Sequence, residues 1–132
     1  MNFKNKCDEI ALILKKNHFL SEQVITNAYE ARKLPTMPRR TRIVLSLNDD
    51  VKSSVFIGGG VQRTYTVLMR VYLPVNADEN DAQHVFACIC EAFENCRDVL
   101  SVTRDQTVWE SNVDRAFFNA KAEFDEVLTD EK

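Results

Sequence analysis

From Tyr65 to Leu73 every second residue is large and apolar (Tyr65, Val67, Met69, Val71, Leu73), and the residues between them are Thr66, Leu68, Arg70 and Tyr72. A two-residue period sends these two sets to opposite sides of a strand, so the stretch belongs in a sheet with one face buried. The intervening set is itself half apolar through Leu68 and Tyr72. Covering one side therefore leaves apolar surface on the other, a pattern that often marks association between subunits. Upstream, Val55-Phe56-Ile57 runs into Gly58-Gly59-Gly60, which predicts a β-hairpin with a glycine tip. All three glycines of the chain fall at that tip, which therefore needs dihedrals other residues avoid, or freedom to move.

Other segments share the two-residue period. Thr41 to Leu47 sets Ile43, Leu45 and Leu47 against Arg42, Val44 and Ser46, and Asn48-Asp49-Asp50 ends it as a turn. Val99 to Thr103 and Thr107 to Trp109 read as strand pieces. Arg115 to Val127 reads as a long closing strand, with Phe118, Ala120, Ala122 and Phe124 on one face and Phe117, Asn119, Lys121 and Glu123 on the other. Val24 to Tyr29 is β-branched and aromatic and predicts a strand, although Ser21 ahead of Glu22 and Gln23 can instead cap a short helix. Leu34-Pro35-Thr36-Met37-Pro38 continues neither element, because proline lacks an amide proton.

Two segments follow the helical period instead. Phe3, Cys7, Ile10 and Leu14 fall three or four apart and predict a helix that stops near Asn17. Ala82, Val85, Phe86, Ile89, Phe93 and Cys96 do the same over Asn80 to Glu94, with Asp78, Glu79 and Asp81 at the end where the helix dipole favours negative charge. The expected fold is α+β, a mainly antiparallel sheet of about six strands with two helices on one face, in the order α-β-β-β-β-α-β-β. Its length of 132 residues suits one domain spanning 1–132, which buries about two-thirds of its extended surface. The apolar runs are too short for a membrane span. No cleavable leader is evident, and cysteines at 7, 88, 90 and 96 are not spaced as a disulfide framework, so a reducing cytoplasm is expected.

No residue pattern carries a catalytic signature, and neither enzymatic activity nor a cofactor is expected. His84, Cys88, Cys90 and Cys96 are the one cluster of soft ligands, but Cys88 and Cys90 lie about 200° apart on a helical wheel. Small hydrophobic packing by the thiols is the expected role, not metal binding. Gly58 to Gly60 lacks the lysine and the helix start of a phosphate loop. His18 sits in a polar turn with no nucleophile placed beside it. Charge is more informative. Arg32, Lys33, Arg39, Arg40 and Arg42 against Glu30 give +4 over thirteen residues, whereas Glu123, Asp125, Glu126, Asp130 and Glu131 against Lys121 and Lys132 give −3. A basic loop and an acidic tail let copies of one chain pair head to tail, and such a contact closes into a ring where the rotation permits.

In element order and texture the chain resembles the tail terminator proteins of long-tailed bacteriophages and prophages, also called minor tail or head-tail joining proteins. The likeness runs through the amino-terminal helix, Thr41 to Leu47, the hairpin through Gly58-Gly59-Gly60 into Arg63 to Tyr72, the helix from Asn80 to Glu94 and the closing strands. The resemblance implies a structural virion protein, assembled in the bacterial cytoplasm and then part of the tail. It implies a hexameric ring that caps the tail tube, ends its polymerisation and meets the head-tail connector protein while DNA passes through the hole. Its partners would be copies of itself, the tail tube protein and the connector, with no membrane. Arg39, Arg40 and Arg42 would then form a contact loop, Gly58, Gly59 and Gly60 a segment that orders on docking, and Tyr72 part of a subunit contact. The alternative is a cytoplasmic nucleic-acid-binding or regulatory module that uses Arg39, Arg40 and Arg42.

Overall fold

The computed structural model describes residues 3–27, 40–47, 52–56, 60–96, 99–112 and 114–129. Its elements are helices α1 (Phe3–Leu14) and α2 (His18–Ser21), strands β1 (Val24–Asn27), β2 (Arg42–Leu47), β3 (Lys52–Phe56) and β4 (Gly60–Tyr72), helix α3 (Glu79–Phe93), and strands β5 (Val99–Arg104), β6 (Val108–Glu110) and β7 (Arg115–Thr129). The centre is an antiparallel ribbon of β4 and β7, in register from Gly60 opposite Thr129 to Tyr72 opposite Phe117. A broken strand flanks the ribbon on each side. On one side β2 pairs with the Tyr72 end of β4 and β3 with the Gly60 end. On the other, β5 and β6 pair with successive parts of β7. β1 adds to β2 in parallel, which makes the sheet mixed although mostly antiparallel.

The two-residue period decides which side the helices cover. Ile43 and Leu45, then Tyr65, Val67, Met69, Val71 and Leu73, then Phe118, Ala120, Ala122 and Phe124 are all buried on one face. Against them pack Cys7, Ile10 and Leu14 from α1, Leu20 from α2, and Ala82, Val85, Cys88, Ile89 and Phe93 from α3. Aromatic contacts join the layers: Phe93 meets Phe124 edge-on at 5.8 Å between ring centroids, and Phe86 meets Phe118 at 6.3 Å. α3 starts on a capping box, in which the Asp78 carboxylate accepts from the Asp81 amide at 3.0 Å and the Asp81 carboxylate accepts from the Asp78 amide at 2.8 Å.

The expected architecture needs two amendments. The sheet has seven strands among the described residues instead of about six, because Val108–Glu110 is a separate strand. Asp105 makes the break: its carboxylate accepts from the Asn119 amide at 2.7 Å, a place in the ladder that a backbone carbonyl would otherwise fill. A third helix, α2, intervenes before β1, started by Asn17, whose side chain accepts from the Leu20 amide at 3.1 Å. His18 thus stands on a helical turn, not in an irregular one. The strand reading for Val24 onward holds over Val24–Asn27. The glycine tip at 57–59 lies outside the described residues, and β3 and β4 form the hairpin that leads to it.

The two faces differ in what a substitution costs. Phe118→Ala removes a fully buried ring at the centre of the helix-covered face and is expected to lower the unfolding free energy by about 3–5 kcal/mol. Lys121→Ala, on the same strand but exposed on the opposite face, is expected to stay within about 0.5 kcal/mol. Urea denaturation of the two variants checks the assignment of faces.

Candidate functional site

The face turned away from the helices has a graded chemistry that follows from register. Its first row runs across four strands: Arg42, Tyr72, Phe117 and Val108. Tyr72 and Phe117 touch at 5.8 Å between ring centroids. The Arg70 guanidinium lies 4.7 Å from the centre of the Phe117 ring, within cation-π range, and donates from Nε to Asn119 Oδ1 at 3.1 Å. Asn119 in turn donates from Nδ2 to Asp105 at 3.1 Å. The second row is therefore a fixed polar relay from Arg70 through Asn119 to Asp105. Farther along, Leu68 stands between Ser46 and Lys121, and Thr66 lies opposite Glu123. This face is apolar and aromatic at one end and polar at the other.

Beside this face lies the edge formed by β5 and β6. Leu100 is 56% exposed, Val108 50% and Trp109 61%. Val108 pairs with Phe117 and so belongs to the side turned away from the helices, whereas Trp109 pairs with Ala116 and belongs to the helix side. The edge is held from behind by Arg104. Its guanidinium stacks 4.5 Å from the Phe118 ring centre and donates to Glu79 Oε1 and Thr107 Oγ1, both at 2.9 Å. β5 is thus tied to the first turn of α3. Arg115, at the other end of the edge, is only 7% exposed and donates to the Leu73 carbonyl at 3.4 Å.

The residues singled out by sequence are divided by the fold. Arg42 is 5% exposed and stands directly across from Tyr72, so those two come together on the face turned away from the helices. Arg40 is exposed and donates to the Glu22 carbonyl at 2.8 Å, bracing the start of β2 against the turn before β1. Gly60 opens β4, opposite Phe56 and Thr129. Arg39, Gly58 and Gly59 lie outside the described residues. Phe117, Arg70, Val108 and Trp109 were not singled out. Alternation placed Phe117 on the side away from Phe118, but only the register joins it to Tyr72 and Val108.

Clefts lined by described residues open on the helix side. One, of about 330 Å³, lies between the ends of α1 and α3 and is lined by Lys16, Asn17, Glu91 and Cys96 among others. The second, of about 270 Å³, is lined by Phe19, Pro74, Val75, His84 and Val85 among others. His84 meets Phe19 edge-on at 4.7 Å, and its Nε2 lies 3.8 Å from Cys88 Sγ. Among the described residues no three His, Cys, Asp or Glu side chains converge as metal ligands, and no helix is long and apolar enough to cross a membrane. His18 is solvent-exposed, with Glu22 at 3.7 Å. Burial pushes the Cys88 thiol up, with the charge of Glu91 adding to it and a hydrogen bond to Asn17 opposing it, and burial alone raises Cys90. Both are packed thiols kept from ionising, the opposite of what a nucleophile needs.

No protein-family model matches the chain, and no curated protein matches it in sequence.

The raised thiols carry a pH dependence. Their folded values stand above the ordinary 9.0, so their contribution to stability is complete below 9.0 and is lost as pH rises through the folded values. Unfolding free energy is expected to fall with pH above 9.0, and less steeply in a Cys88→Ala/Cys90→Ala variant. Equal slopes in denaturant titrations of the two proteins would contradict the burial argument.

Proposed function

We propose that the protein is a structural, ring-forming module of the phage tail terminator kind, which caps a tail tube, ends its polymerisation and meets the head connector. The observation that carries this reading is the outer side of the sheet: helices occupy one face, while on the other Tyr72 and Phe117 touch and are only half-buried, and the neighbouring edge exposes Val108 and Trp109. Apolar side chains on a rigid sheet suit repeated contact between copies, where shape matters more than chemistry.

The nucleic-acid alternative is less well supported by geometry. Of its three arginines, Arg42 is buried and Arg40 is bonded to a backbone carbonyl, which leaves less free charge for phosphates than the sequence suggested. On the proposed reading the purified protein is expected to form a six-membered ring, alone or at the tip of its cognate tail tube. Light scattering gives the mass. Negative-stain images of polymerising tubes with the protein added are expected to show shorter tubes, each ending in a ring. Tubes of unchanged length and bare ends, together with a monomeric mass, would sink the proposal.

A further inference from the structure

The soft side chains of α3 and its end are separated by helical position. Cys90 stands about 200° around the helix from Cys88, and Cys96 lines the cleft between the ends of α1 and α3. His84 and Cys88 are four residues apart on α3 and so share one face of it. There His84 Nε2 and Cys88 Sγ stand 3.8 Å apart. Both partners of this pair are held by the start of α2. Phe19 meets the imidazole edge-on with 4.7 Å between ring centroids, and the side chain of Asn17, itself buried, bonds to the Cys88 sulfur. Two donor atoms fixed at such a distance have a use beyond packing.

We propose that His84 and Cys88 form a two-ligand clip for a thiophilic divalent cation of the zinc type, the imidazole binding through Nε2 and the thiolate through Sγ. Zinc–nitrogen bonds of about 2.0–2.1 Å and zinc–sulfur bonds of about 2.3 Å, meeting at about 110–120°, set the two donors about 3.5–3.8 Å apart. The pair already stands at that spacing, so an ion closes the clip with little movement of either side chain. On binding, the sulfur exchanges its proton for the ion, and the proton leaves to water. Burial holds that proton on Cys88, and the charge of Glu91 adds to the effect. The same negative charge favours a dication at the sulfur. Access is from the imidazole side, where His84 is exposed and lines the cleft of about 270 Å³, with Cys88 only 7% exposed. Among the described residues no third His, Cys, Asp or Glu joins the pair, so water takes the other positions and binding is weaker than at a closed four-ligand site. The clip is independent of the ring reading.

Cobalt(II) is the probe, because a cobalt–thiolate bond adds an ultraviolet band that the free thiol lacks. Titrating the reduced full-length protein with cobalt chloride is expected to raise that band to saturation at one ion per chain and to raise the melting temperature. Zinc added afterwards is expected to displace the cobalt and remove the band. Cys90→Ser/Cys96→Ser is expected to keep both responses, and Cys88→Ser to lose them. His84→Ala, a change at an exposed position, is expected to keep its circular dichroism and to weaken cobalt binding roughly tenfold or more. A band that persists in Cys88→Ser would overturn the clip. So would a band that His84→Ala leaves at full strength, which marks a thiol binding cobalt on its own, or no band with cobalt in large excess.

Discussion

Everything in this fold hangs on the register between β4 and β7. Because Tyr65 stands opposite Phe124, and Val71 opposite Phe118, the alternating apolar residues of both strands fall on one side and make a floor for three helices. A slip of one residue in either strand would turn that strand's buried set to the other face. The register is secured locally by side chains of matching size. Tyr65 and Phe124 stack nearly parallel with 5.2 Å between ring centroids, at the end of the helix-covered part of the ribbon. At the same end the Lys6 ammonium of α1 lies 4.9 Å from the centre of the Tyr65 ring. Burial lowers the affinity of that amine for its proton, but bonding to Tyr65 and Glu9 more than restores it. The helix layer is thus fastened to the same ring that marks the register.

That register also determines what stays outside. Once Phe118, Ala120, Ala122 and Phe124 are turned inward, Phe117 and Asn119 have to face outward, beside Tyr72 and Arg70. What the outer face carries is a consequence of what the inner face buries. Its polar relay from Arg70 through Asn119 to Asp105 has a second effect, since the same Asp105 carboxylate interrupts the edge strand. One residue therefore sets both the polarity of the face and the shape of the neighbouring edge.

Much of this was legible in the sequence, because the two periods do not resemble each other. The alternation at Tyr65 to Leu73 and at Phe118 to Phe124 identified the strands and the buried set. The spacing of Cys7, Ile10 and Leu14, and of Ala82, Val85, Ile89 and Phe93, identified the helices and their inward sides. What periodicity does not contain is pairing between distant segments. The parallel union of β1 with β2 depends on contacts across the chain, among them the Thr41 amide donating to Gln23 Oε1 at 3.1 Å. α2 is a single turn, too short to display a period, and betrays itself only through Asn17. Arg42 looked like surface because arginine usually is, and its burial depends on the row it enters beside Tyr72. Trp109, in a three-residue strand, gave no pattern of its own.

The central ribbon joins strands that are far apart along the chain: Tyr72 and Phe117 are 45 residues distant, and Gly60 and Thr129 are 69. Contacts of such long range form slowly, because the closure entropy of the intervening chain comes due before any pair is made. During synthesis β4 emerges well before its partner. Until β7 has left the ribosome, an incomplete chain has α3 but only the β2–β4 part of the floor beneath it and no β5–β6 edge, since both of those strands pair with β7. The β5–β6 edge is thus among the last parts of the molecule to come into being, and until then β4 waits with one edge unpaired and its apolar row half covered, the stage at which the chain is most open to a wrong partner.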